Sequence, residues 1–341
     1  MFDAAALKEF GRQTGLELRV CDTHPFITEI RRTNRQARES LFINPESWTP
    51  VEVRRFYSLH EHLPGVSSIV AAALNYFTPD EPDPSGPGAP YGLVARYTRR
   101  NYYLELRRRL RTAARFIKKE FGGKTAVYAN GPIAEKPIAQ RSGIGYYGKH
   151  SIMINPRFGS WCVLGEILTD APIKPDPPLE MTCGTCRRCL DACPTRAIIR
   201  PYIIDRRRCI QALTNWPSEI PDQIRRVWGN RVYGCTDCQE VCPVNADKKP
   251  GRAETEIGIV GQWLPIKDIL TMNEEEYRAQ YSNNQISAGW INFSAVQRNC
   301  LLALGNIRDP GTLPVIEKFT KNPDPILADS ARWAKTRICN G

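Results

Sequence analysis

Twelve cysteines stand in this chain of 341 residues, and eight of them fall between positions 183 and 242. The first four read Cys183-Gly-Thr-Cys186-Arg-Arg-Cys189-Leu-Asp-Ala-Cys193-Pro194, a C-x2-C-x2-C-x3-C-P run. In such a run three thiolates grip one four-iron cubane and the fourth is directed to a neighbouring cluster. Further on, Cys235-Thr-Asp-Cys238-Gln-Glu-Val-Cys242-Pro243 repeats the second half of the pattern. Its missing first cysteine, at the position of Val232, is supplied by Cys209. The spacing therefore assigns Cys183, Cys186, Cys189 and Cys242 to one [4Fe–4S] cluster, and Cys193, Cys209, Cys235 and Cys238 to the other. A pair of four-thiolate zinc sites is the competing reading. Zinc favours C-x2-C knuckles separated by a loop over three cysteines packed between 183 and 189. Two cubanes in series move single electrons, and the stretch from 183 to 242 would suffice for a carrier. The rest of the chain is expected to hold what receives them.

Composition limits the setting. At roughly 100–200 residues per domain the length allows two or three domains. Hydrophobic content of 42% and charged content of 24% are those of a soluble globular protein. No run of about 18 apolar residues suggests a membrane span, and the first residues lack a secretory signature. The expectation is a cytoplasmic protein whose clustered cysteines bind metal in a reducing compartment rather than forming disulfides. Cys21, Cys162, Cys300 and Cys339 then read as packing residues. The net charge of +11 suits a polyanionic partner or a solvated basic surface. It is spread through RRTNRQAR (31–38), the segment 96–119 and IIDRRRC (203–209).

Along the chain, 1–175 reads as an α/β domain, 176–250 as a two-cluster ferredoxin-like domain, and 251–341 as a helical region resembling HEAT units. The run VSSIVAAALNYF (66–77) predicts a buried strand, as do TAVYAN (125–130), SIMINP (151–156) and the apolar SWCVLGEILTD (160–170). Helical spacing marks LKEFGRQTGL and 101–121. APIKPDPPLEMT (171–182) is a Pro-rich linker, and helices over 293–307 and 311–338 break at DPG and NPDP.

Gly143-Ile-Gly145-Tyr-Tyr-Gly148-Lys149-His150 fits G-x-G-x-x-G and almost fits a phosphate loop. A dinucleotide site needs a strand before it, and a phosphate loop needs a hydroxyl where His150 stands. The glycines instead offer a backbone that a large flat ligand could approach, or simply a tight turn.

Taken together, GPIAEKPIAQRSGIGYYGKHSIMINPRFGSWCVLGEILTD (131–170), CGTCRRCLDACPTRAI (183–198), RRCIQALT (207–214), NRVYGCTDCQEVCPVN (230–245) and VQRNCLLALGN (296–306) resemble the epoxyqueuosine reductases. The likeness runs in the same order over about residues 40–340. It implies an α/β (α+β) cobalamin-binding domain, with a fold shared with the core of reductive dehalogenases. A two-[4Fe–4S] ferredoxin-like module and a C-terminal α-helical HEAT-like region complete the expected architecture. The implied activity is the reduction of epoxyqueuosine to queuosine in tRNA, in the cytoplasm, with base-off cobalamin. The failed D-x-H-x-x-G at Asp22-Thr-His24 is no objection, because the family uses no histidine on cobalt. Corrin contacts carried over are Ala95 or Arg96, Ala129, Met153, Leu164 and Gln211. A flavodoxin or ferredoxin would donate electrons to a monomer with no membrane attachment. Segment 101–119 and the HEAT-like end would meet tRNA phosphates, with salt-dependent affinity.

The chain departs from the family in the pocket. The motif V-D-[ST]-[GA]-P reads Tyr128-Ala129-Asn130-Gly131-Pro132, so Ala129 replaces the proposed proton-donating Asp. Asn101-Tyr102-Tyr103 replaces the usual Asp-Tyr-His. Tyr103 or Tyr128, or else Tyr102, is expected to supply the proton. Besides the tRNA reductase, two readings stay open. One is a paralogue reducing a small substrate with the same cofactors, and the other is an accessory electron carrier or corrinoid reductant.

Overall fold

The computed structural model describes residues 1–251 and 255–340. The first stretch runs α1 (Ala5–Gln13), β1 (Glu17–Cys21), α2 (Ile27–Arg38), α3 (Pro50–Phe56), α4 (Leu59–His62), β2 (Ser68–Asn75), β3 (Tyr91–Val94), α5 (Tyr102–Phe121), β4 (Thr125–Ala129), α6 (Glu135–Arg141), β5 (Tyr146–Tyr147), β6 (Met153–Ile154) and β7 (Cys162–Thr169). The main sheet has the order β1-β2-β7-β4, antiparallel throughout. Every residue of β2 is buried because both sheet faces are covered, which is why the sequence there is continuously apolar rather than alternating. On one face Leu106, Leu110 and Ile117 of α5 pack on Val70, Val163 and Ile167. On the other, Ile138 of α6 joins Phe26, Ile69, Leu164 and Leu168.

The Asn101 side chain caps α5 by accepting from the Leu104 N–H at 3.0 Å. Gly165 lets α5 come close, since a Cβ there would lie 2.8 Å from Leu110 and from the Tyr128 carbonyl. α6 forms despite Pro137 because that proline sits in the first turn, where its missing N–H has no intrahelical partner to lose. SIMINP contributes only the two-residue β6, paired with β5.

The cysteine-rich stretch carries short elements only: α7 (Arg188–Asp191), β8 (Ile198–Arg200), β9 (Ile203–Ile204), α8 (Ile210–Leu213), α9 (Asp222–Arg225), β10 (Arg231–Tyr233) and α10 (Asp237–Glu240). After it come β11 (Trp263–Pro265), α11 (Ile266–Thr271), α12 (Glu274–Gln280), α13 (Phe293–Ile307), α14 (Leu313–Phe319) and α15 (Pro325–Cys339). The expected divisions near 175 and 250 are crossed by a second sheet, β10-β3-β11, with one strand from each stretch. Val94, Val232 and Leu264 from those strands share a core with α11, α13, α14 and α15.

α13 also latches the cysteine stretch through Arg298, which is 0% exposed. Its guanidinium donates to the carbonyls of Trp216 (2.6 Å), Ser218 (2.7 Å) and Leu213 (2.7 Å). Next to it, the Asn299 amide donates to the carbonyls of Thr214 (3.0 Å) and Val232 (2.9 Å). Among the described residues no helix is long and apolar enough to cross a membrane.

Candidate active site

The eight clustered thiols gather in two groups. Cys189 feels Cys183, Cys242 and Cys186, and burial pushes it up to about 11. Cys242 in turn feels Cys183 and Cys186. In the second group Cys209 is faced by Cys193, Cys235 by Cys209, and Cys238 by Cys235, Cys209 and Cys193. Cys238 also feels Cys189, so the groups adjoin. Lys149 pins the first group's loop by donating to the carbonyls of Gly184 (2.6 Å) and Cys186 (2.8 Å). Among the described residues no three Cys, His, Asp or Glu side chains converge tightly enough for a single ion.

One end of the main sheet faces the second group. Gln239 of α10 donates to Tyr76 Oη (3.0 Å) and the Ser160 carbonyl (2.8 Å), and Asn245 donates to Ser160 Oγ (2.8 Å). Tyr97 Oη donates to Gln211 Oε1 at 2.5 Å, next to Cys209. Across from these contacts, Lys136 at the start of α6 is open to water. Surrounding protein nonetheless drives its ammonium down to about 8, with Arg206 adding repulsion and Cys209 and Cys238 facing it. Arg206 is likewise open to water and depressed by burial. Lys136 and Arg206 thus face each other and the second thiol group, and the space between them and the sheet end is called the cleft below.

A 4Fe-4S double cluster binding domain matches residues 182–245, and the family described as epoxyqueuosine reductase QueG matches residues 57–129. An epoxyqueuosine reductase of Vibrio cholerae is 40% identical over 281 residues, covering 80% of this chain and 75% of that protein. That of Bacillus subtilis is 33% identical over 284 residues, covering 81% and 72%. This chain belongs to the epoxyqueuosine reductase family. A solved epoxyqueuosine reductase from Bacillus subtilis, with its catalytic Asp loop swung out of the active site, superposes with a TM-score of 0.87 at 28% identity, over 98% of this chain and 89% of that one. Another, holding an epoxyqueuosine-modified tRNA stem loop, gives 0.85 at 28% identity with the same coverage.

Set in this family, the expected site residues divide. Tyr103 lies at the cleft, among Glu135, Tyr233 and Cys162, and burial holds its hydroxyl protonated. Tyr128 faces the His62 ring at 5.3 Å and stands opposite Glu166 in the sheet. Gln211 lies beside the second thiol group through Tyr97. Ala95 is buried against Gly234, whose Cβ would come within 2.6 Å of it. Met153 and Leu164 are buried in the α6-side core.

The side chains of Arg96 and Ala129 are both engaged within the protein. The Arg96 guanidinium donates to Glu240 (3.0 Å), Asp80 and the Thr78 carbonyl, and lies over Phe77 and Trp161. It ties the cysteine stretch to the sheet. Ala129 is 0% exposed, with its methyl in the α5-side core. Only its backbone could touch a ligand, and its carbonyl already accepts from Arg107 at 2.9 Å.

The glycine segment serves its own chain. A Cβ at Gly143 would lie 2.2 Å from the Pro177 carbonyl, and one at Gly148 would lie 2.5 Å from the His150 ring. α6 precedes the segment where a dinucleotide site needs a strand. Segment 101–119 is also less available to phosphates than its arginine count suggests, because Arg108 and Arg109 both pair with Glu105.

Missed in the sequence were Glu135, Lys136 and Glu166. Only the proximity of Glu135 to the departed motif could have signalled one of them.

His150 is 1% exposed, and burial lowers its imidazole to about 4, with Lys136 adding repulsion. Its Nδ1 accepts from the Ile152 N–H at 3.2 Å, so the ring is neutral with its proton on Nε2. Between about 6.5 and 4 the unfolded chain protonates this ring while the folded chain does not. Stability therefore falls as pH drops through that window, by up to about 3 kcal/mol. Denaturant titrations from about pH 7 to about pH 4 check this, and His150→Gln should flatten the slope.

Proposed function

We propose that this chain is an epoxyqueuosine reductase, using two [4Fe–4S] clusters and a base-off cobalamin to convert epoxyqueuosine to queuosine in tRNA. The observation that carries this is the cleft: the second thiol group, the sheet end and the start of α6 meet there. The residues fit such cofactors. Eight thiols gathered in two adjoining groups, ionised without a cation, would repel one another, and iron compensates them. Along the cleft, His150 Nε2 and Glu166 Oε1 are buried without a protein partner.

Bound there, the clusters and corrin supply the reaction's two electrons. The chain holds them through Cys183, Cys186, Cys189 and Cys242, through Cys193, Cys209, Cys235 and Cys238, and through the walls around Ala95, Met153, Leu164 and Gln211. Tyr103, kept neutral by burial, stands by Glu135 and keeps a proton on its hydroxyl. A flavodoxin or ferredoxin delivers electrons to the monomeric protein in the cytoplasm, and the helical end counts as HEAT-like.

For the RNA, α2 is the best-suited element. None of its 12 residues is buried, and it presents Arg31, Arg32 and Arg38 to solvent. Its Arg32 and Glu29 face Tyr147 of the glycine segment. Arg31→Glu with Arg32→Glu should weaken tRNA binding and flatten the plot of log affinity against log salt by about one per lost phosphate contact. Binding titrations at several salt concentrations check this.

The deciding experiment is anaerobic turnover of epoxyqueuosine-containing tRNA with cobalamin added. Conversion to queuosine supports the proposal. Because Ala129 removes the family acid, a second reading is a paralogue with the same cofactors. Cobalamin binding without conversion, together with reduction of a small epoxide, would favour it.

A further inference from the structure

Ala129 has no proton to give, and its methyl lies on the face of the sheet away from α6. The chain just beyond it brings another acid to the same end. Asn130 takes φ 51°, reversing the backbone so that the N–H groups of Asn130 and Gly131 donate to the carboxyl of Glu135, the first residue of α6. The five-residue gap thus closes into a loop, with Glu135 at the mouth of the cleft next to Lys136.

Behind it, Glu166 of β7 is 1% exposed and its Oε1 has no partner. Burial raises both carboxyls above the usual carboxylate range, against the two backbone N–H groups that favour ionised Glu135, and the Glu135 charge opposes ionisation of Glu166. With that charge facing it and no partner for its Oε1, the buried Glu166 carboxyl is the one that retains a proton near neutral pH. The remaining groups facing Glu135 are Lys136 on its own helix and Tyr103 on α5. The Lys136 ammonium is engaged with the Ser151 carbonyl at 3.0 Å, which leaves the carboxyl without a direct ion pair to hold it ionised.

We infer that Glu135 is the proton donor of the reductase reaction, taking the part of the aspartate that Ala129 replaces, with Glu166 as the proton store behind it. The inference rests on the reductase reading above. Reducing an epoxide to an alkene breaks both carbon–oxygen bonds, forms a carbon–carbon double bond and releases water. It consumes two electrons and two protons. A low-potential one-electron carrier provides the electrons. Glu135 gives one proton to the oxygen as it departs, and solvent gives the second.

The test joins a spectroscopic and a kinetic arm on the holoenzyme. Infrared difference spectra should contain a protonated-carboxyl band that persists to neutral pH and is lost or displaced in Glu135→Gln and in Glu166→Gln. If no such band exists, the inference falls. With tRNA substrate and excess reductant, Glu135→Gln should lower kcat on the order of 10²–10⁴-fold, leaving KM and the rate of cluster reduction by dithionite unchanged. If Glu135→Gln does not fold, Glu135→Asp carries the test, keeping the infrared band while turnover drops through shortened reach. Full turnover by Glu135→Gln beside an active parent overturns this inference alone. A fully loaded parent that leaves epoxyqueuosine untouched overturns the reductase reading and the inference with it.

Discussion

Serine in place of Cys189 is expected to leave a folded protein with one cluster and no reductase activity. Cys189 is buried among Cys183, Cys186 and Cys242, and a serine hydroxyl is a far poorer iron ligand than a thiolate at neutral pH. Iron should fall from about eight to about four atoms per chain. The sheet should survive, because the two cores that cover it contain none of the eight clustered cysteines. Far-ultraviolet dichroism should therefore match the parent while turnover drops to background. Cys162→Ser is the control: that thiol lies at the sheet end, outside both groups, and burial pushes it up to about 12. It should retain full iron. Full iron in Cys189→Ser would break the proposed ligand set.

The second large effect is expected far from the cleft. Arg298→Leu removes the donors for the carbonyls of Leu213, Trp216 and Ser218, all held by one buried guanidinium. At roughly 1–3 kcal/mol for each orphaned group, the loss should be about 4 kcal/mol, read as a lower denaturant midpoint. The Leu213 carbonyl ends α8, the helix that Cys209 opens, so the variant should also release iron faster than the parent on chelator challenge. Burial has already brought Arg298 down to about 9, with Arg225 adding repulsion. Lysine there could not reach three carbonyls from one point charge, so Arg298→Lys should recover little.

Legibility in the sequence followed the range of the interaction. β2 and β7 could be read because strands covered on both faces become unbroken apolar runs. α5 could be read because Leu106, Leu110 and Ile117 repeat at helical spacing beside an arginine face. Cys183, Cys186 and Cys189 could be grouped because they fall close together in sequence, whereas Cys209 and Cys242 meet their neighbours only through the fold. The second sheet could not be read: β3, β10 and β11 are three or four residues each, and their pairing joins positions far apart. α6 was hidden by Pro137, whose place in the first turn only the fold reveals. Glu135 and Lys136 were passed over for a related reason. What makes them unusual is burial by parts of the chain remote in sequence, with Arg206, Cys209 and Cys238 also facing Lys136.

The two thiol groups exchange members: Cys193 belongs with partners that follow it, and Cys242 with partners far upstream. A nascent chain leaving the ribosome presents Cys183, Cys186 and Cys189 long before Cys242 has been synthesised. The first group stays one ligand short until every member of the second has been made. Filling of the first group should therefore be the last step of maturation, and a chain truncated between residues 238 and 242 should hold the second cluster alone.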